Sequence, residues 1–172
     1  MIQKCSILKV LEIFFREPMT IQFIREISRK IKLAHTSVRA NIKELLKEGL
    51  IVKVKSKPFD GFTANRESEC FSFYKRAYNL FSLYELKEKL VDIFQPQLLS
   101  VFGSYSRGED VETSDIDVLV VSKIKKKVVF TDIEKKLGRK INAMLVDSLD
   151  DLDEPVRKKA IQGFILFGGI DG

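Results

Sequence analysis

Apolar residues recur at three- and four-residue intervals through the first fifty positions, then give way to alternation. Ile7, Leu8, Leu11, Ile13, Phe14 and Phe15 mark a first helix. Pro18 closes it, because the residue before a proline is steered away from helical angles. A second helix is expected over "IQFIREISRKI", with Thr20 as its N-cap and Phe23, Ile24 and Ile27 facing inward. "AHTSVRANIKELLKEGLI" predicts a third, whose buried stripe is Val38, Ile42, Leu45 and Leu46 and whose end is marked by Gly49. "LIVKVKSK" then alternates with period two, which predicts an edge strand carrying Lys53, Lys55 and Lys57 on one side. Pro58 and Asp60-Gly61 supply the turn that follows.

Helical periodicity returns over residues 67–94. Phe71, Tyr74, Tyr78, Phe81 and Tyr84 lie three or four apart, which predicts one or two helices that pack the parts of the chain together or pair with a second copy. Pro96 ends the region. From there the pattern is that of short strands. "LLSVF" runs into Gly103-Ser104, "SDIDVLVV" alternates through Asp115 and Asp117, and "INAMLV" alternates again around Asn142. "DEPVRKKAIQ" predicts a helix with Pro155 in its first turn, followed by a short apolar strand.

Charge changes this picture at one end only. The net charge of the 172 residues is +6, and residues 1–57 alone carry 13 Lys and Arg against 5 Asp and Glu. A basic N-terminal third beside a near-neutral remainder suggests a polyanionic partner for that third. Two cysteines and a single histidine exclude a disulfide framework and a structural zinc site. Charges threaded through the first twenty residues argue against a signal peptide, and no apolar run reaches the roughly 20 residues of a membrane span. A cytoplasmic protein with no membrane partner is therefore expected.

The stretch "TIQFIREISRKIKLAHTSVRANIKELLKEGLIVKV" resembles winged helix-turn-helix regulators of archaea and bacteria. That resemblance implies a third helix that enters the major groove of double-stranded DNA and a strand pair that tracks its phosphates. Thr36, Ser37, Arg39 and Lys43 would face the DNA from the helix, and Lys53 and Lys55 from the wing. Binding as a homodimer to two half-sites is an open reading, as is use of the same unit for protein contacts.

"GSYSRGEDVETSDIDVLV" carries chemistry. Gly103 lets the backbone approach a ligand, Ser104 adds a hydroxyl and an N–H at the turn, and Arg107 offers a positive fork. Asp115 and Asp117 share a strand face with Cα atoms about 7 Å apart, so a cation is needed between them. Oxygen ligands without His or Cys suit Mg2+, which is held by one or two carboxylates and substrate phosphates. The segment resembles the Gly-Ser…Asp-x-Asp signature of the polymerase beta-like superfamily, in its minimal nucleotidyltransferase form, over about residues 97–167. The resemblance implies a nucleoside triphosphate bound at Gly103 and Ser104, and two Mg2+ held by catalytic Asp115 and Asp117.

The fold expected is thus α+β: a winged helix-turn-helix over residues 1–70, a helical connector over 71–96, and a small mixed-sheet nucleotidyltransferase domain over 97–172. The family's third carboxylate is expected on the strand "INAMLV", where Asn142 stands instead. Asparagine offers a carbonyl but takes no proton. Asp147 lies five residues further on, about 16 Å along a strand and of opposite parity. These readings favour a DNA-binding regulator whose second domain binds Mg-nucleotide. The alternatives are an active transferase placing a nucleoside monophosphate on protein or nucleic acid, and an antitoxin-like module acting on a protein partner.

Overall fold

The computed structural model describes residues 5–169, so the first four positions of the stretch read against a signal peptide lie outside it. The chain divides into two compact units, residues 1–75 and 76–172. The first opens with helices α1 (Ser6–Arg16), α2 (Ile24–Ile31) and α3 (His35–Lys47), followed by strands β1 (Ile51–Val54) and β2 (Gly61–Ala64). Helices α1 and α2 both pack on α3 and bury Val10, Leu11, Phe14, Ile27, Val38, Ile42 and Leu45. Gly49, at φ +67, ends α3 as its position suggests. Its N–H donates to the Leu46 carbonyl and that of Leu50 to the Leu45 carbonyl, the paired bonds of a left-handed helix terminus.

The second helix starts later than the sequence pattern implies. Its N-cap is Phe23, not Thr20, and the N-cap makes no side-chain bond. Gln22 is instead extended and exchanges both backbone hydrogen bonds with Phe62, which adds a short third segment to the β1–β2 hairpin. Ile21, Gln22 and Phe23 thus obey a sheet rather than a helical period. Long-range pairing overrides a local propensity that spans only three residues.

The second unit is built on a four-stranded sheet in the order β5-β4-β3-β6, with β3 Leu98–Phe102, β4 Ile116–Val121, β5 Ile141–Val146 and β6 Phe164–Gly168. Strand β3 runs antiparallel to both β4 and β6, whereas β4 and β5 are parallel. A parallel pair needs a crossover, and α7 (Thr131–Leu137) provides it. On one face Leu99, Val101, Ile116, Val118 and Val120 pack with Leu86, Leu90 and Phe94 of α5 (Tyr84–Phe94) and with Ile133 of α7. On the other, Leu98, Leu119 and Val121 pack with Ala160 of α8 (Glu154–Ile161). Pro155 stands in the first turn of α8, as the sequence suggests. No helix among the described residues is long and apolar enough to cross a membrane.

Helix α4 (Glu69–Ser82) does not bury the aromatic stripe expected of it. Phe71 is buried, its ring 5.3 Å from that of Phe15, but Tyr74, Phe81 and Tyr84 are exposed. The buried row follows four-residue steps through Phe71, Lys75, Asn79 and Leu83, and so diverges from the aromatic positions after the first.

A short helix, α6 (Gly103–Arg107), follows β3 directly and drives Tyr105 into the core, where its hydroxyl lies 2.8 Å from Ser82 Oγ. Burial raises the Tyr105 pKa to about 12, helped by the nearby Asp110 charge and opposed by the Ser82 bond. The folded value lies above the ordinary 10, so this tyrosine costs nothing below pH 10 and withdraws stability between pH 10 and about 12. Tyr105→Phe should therefore lessen the loss of stability in that window, measured by urea denaturation from pH 9 to 12; an unchanged slope would show that the ring is not held neutral.

Candidate active site

Gly103 begins α6 with φ +76, a conformation that residues bearing a Cβ seldom adopt. A Cβ there would stand 2.8 Å from Asp117 Oδ2. The close approach follows from strand register, because Phe102, the last residue of β3, pairs with Asp117 on β4. The missing side chain is thus what lets the turn after β3 lie against the carboxylate. Ser104 sits in the same turn, and its carbonyl accepts the Glu109 N–H at 3.0 Å, which folds the chain back beneath the helix. Gly103, Ser104 and Asp117 are therefore brought together. Asp115 lies exposed just before β4, beside a cleft of about 400 Å3 that Thr113, Ser114, Thr131 and Lys140 also line.

Register also decides where the third strand points. Asn142 pairs directly with Asp117 across the parallel β4–β5 ladder, and its Nδ2 donates to Asp117 Oδ1 at 3.1 Å. The asparagine thus stands beside the pair, where a third carboxylate was expected. Asp147 is not a substitute, for its carboxylate meets Lys125 at 2.5 Å near the far end of the strand. Lys123, Lys125, Lys126 and Lys127 follow the C-terminal end of β4, which lies some 20 Å along the strand from Asp115 by the usual rise. Arg107 faces solvent at the end of α6, and its Nε pairs with Glu109 at 2.7 Å. In the N-terminal unit Thr36, Arg39 and Lys43 are exposed on α3, whereas Ser37 is half-buried. On the wing Lys55 is exposed, but Lys53 is tied to Asp60 at 2.6 Å.

Four residues that the sequence did not single out hold this arrangement. Asp110 is buried between α6 and β4, where it accepts from Asn79 Nδ2 at 2.7 Å and from Arg139 at 3.3 Å. Asn79 also donates to the Tyr105 carbonyl at 2.8 Å. The loop leading to Asp115 is in this way fastened to α4 and to the turn before β5. Removing one member of a buried pair typically costs about 3–5 kcal/mol, because the other charge stays behind without its partner. Glu134 secures the same turn from α7. Its carboxylate accepts the Ile141 N–H at 3.0 Å and pairs with Lys140, and that backbone bond is the main cause of its lowered pKa. Partners 29 and 31 residues apart leave no local pattern; the one available signal was a lone asparagine on the buried row of α4.

The donor set suits a hard divalent cation. Asp115 and Asp117 offer carboxylate oxygens, and Gly103 leaves open the space beside Asp117. Among the described residues no group of three or more His, Cys, Asp or Glu gathers to hold a metal.

A glycine turn after one strand thus abuts an aspartate on the next. Residues 83–169, from α5 through β6, match the nucleotidyltransferase domain family, and the chain belongs to it. Two proteins of Methanocaldococcus jannaschii, each named putative protein adenylyltransferase, are similar to the same degree. One is 31% identical over 88 residues, or 47% of this chain and 85% of the relative. The other is 32% identical over 79 residues, or 41% and 85%.

Gly103→Ala should cost about 1–2 kcal/mol for the left-handed backbone and also push the Asp117 carboxylate aside. Thermal unfolding should fall by several degrees, and the stabilisation conferred by Mg-ATP should shrink. An alanine variant with undiminished Mg-ATP stabilisation would place the nucleotide elsewhere.

Proposed function

We propose that the second unit transfers a nucleoside monophosphate from a nucleoside triphosphate to a hydroxyl group of a protein, with ATP as donor. The observation that carries this reading is the contact of the Gly103 turn with Asp117, in register with Asn142. The family generally works with Mg2+ and nucleoside triphosphates, and adenylyl transfer to protein is the activity named for the two relatives. The expectation of a DNA-binding regulator as the chief role gives way to this reading, because the family match falls on the catalytic type of domain.

Asp115 and Asp117 would hold Mg2+, which screens the phosphate charge and makes the acceptor hydroxyl more acidic. The Gly103 and Ser104 turn receives the triphosphate, with backbone rather than side chain at its closest point. The acceptor oxygen forms a bond to the α-phosphorus, the bond from that phosphorus to the bridging oxygen breaks, and pyrophosphate leaves. The hydroxyl proton must also depart. Asn142 cannot accept it, so proton removal falls to solvent or to Asp115 and Asp117, whose charge is already engaged. A positioned base typically contributes 10²–10⁴-fold, and transfer is slow by about that factor.

The expected result is weak, Mg2+-dependent labelling of protein by [α-32P]ATP that Asp115→Ala abolishes and Asn142→Asp increases at least tenfold, within the range a general base supplies. Label that persists in Asp115→Ala would refute the assignment.

A second reading concerns the first unit and fits beside the first. Three helices followed by a hairpin, with Thr36, Arg39, Lys43 and Lys55 exposed on one helix and the wing, support a winged helix that binds duplex DNA. Affinity should fall steeply with salt as counterions are released, and Lys55→Ala should weaken all sequences alike while Arg39→Ala relaxes sequence preference. Anisotropy titrations without any binding at low salt would remove DNA from the account.

A further inference from the structure

Asn142 does more than omit an acid. Its amide is turned so that Nδ2, the donor, meets Asp117 Oδ1 at 3.1 Å. The other oxygen of Asp117 lies 2.8 Å from where a Cβ on Gly103 would stand. One Asp117 oxygen therefore looks at the phosphate turn and the other is occupied by an N–H from the neighbouring strand. The positive end of that amide dipole points to the side of Asp117 away from the turn. Two carboxylates balance one divalent cation, and no third acidic, cysteine or histidine side chain joins them among the described residues. To bring its carbonyl to bear, the amide would have to turn over, giving up its bond to Asp117.

We propose that this site takes a single divalent cation with each nucleoside triphosphate, held by Asp115, Asp117 and the phosphates, and that the Asn142 amide takes the place of a second cation. The inference rests on the nucleotide-binding reading above and goes further, for it makes Asn142 a built-in substitute for a metal ion. It also explains why the strand can bring its side chain against Asp117 without repulsion. A carboxylate at 142 would set three negative charges together and require a second cation to offset them.

The test counts cations rather than turnover. The full chain is titrated with Mn2+ in the presence of a saturating, non-hydrolysable α,β-methylene analogue of ATP, and free Mn2+ is read by electron paramagnetic resonance. One Mn2+ per bound nucleotide is expected for the unaltered chain; Asn142→Ala, which removes the amide that stands in for a cation, should leave Asp117 Oδ1 open and admit a second, weaker Mn2+. Two are expected for Asn142→Asp. The unaltered chain binding two, or Asn142→Asp remaining folded and binding one, would overturn the inference while leaving nucleotide binding intact. Should Asn142→Asp fail to fold, the counts on the unaltered chain and on Asn142→Ala still decide. Failure of both to bind the analogue would overturn the nucleotide-binding reading and the inference with it.

Discussion

The site depends on how near the backbone at Gly103 comes to the Asp117 carboxylate. Any side chain at 103 would meet Asp117 Oδ2 at 2.8 Å, closer than real Cβ contacts allow, and the backbone there is left-handed at φ +76. Both constraints are satisfied only by glycine. They place a turn of free backbone and a carboxylate side by side, a juxtaposition that serves a phosphate and its cation together. The antiparallel pairing of β3 with β4 sets the approach, and the parallel pairing of β4 with β5 sets Asn142 on the other side. Three neighbouring strands thus fix three side-chain positions, and a slip of one residue in either ladder would turn one of them to the opposite face.

Packing keeps those ladders in register. Ile116, Val118 and Val120 alternate with Asp117, Leu119 and Val121, so burial of the first set beneath α5 and α7 obliges Asp117 to face the other way. The polar loops at the end of the sheet need separate fastening. Asp110, Asn79 and Arg139 supply it from inside, and Glu134 from outside. A buried, hydrogen-bonded charge pair is an expensive way to gain stability, but it specifies one arrangement of a loop that has little apolar surface of its own.

Much of this was legible in the residues because it is local. The three basic helices, the Gly49 terminus and the strand after Pro96 all follow from periods of 3.6 and 2. The place of Asn142 was legible for the same reason. Alternation fixed its face, and only the pairing with Asp117 remained for the ladder to decide. What escaped was set by distant partners. Gln22 left its helix to pair with Phe62, and the buried row of α4 runs through Asn79, which reaches Asp110. No window of sequence contains both ends of the long-range contacts.

In the function proposed above, Asp117, held against the Gly103 turn, binds the cation of a nucleoside triphosphate. Isothermal titration of Mg-ATP into the unaltered chain and into Asp117→Asn tests it directly. Replacing the carboxylate by an isosteric amide removes half the acidic charge of the pair and leaves the packing in place. Loss of a charge-assisted contact should weaken Mg2+-dependent binding roughly tenfold or more. Equal affinity in the two proteins would contradict the claim.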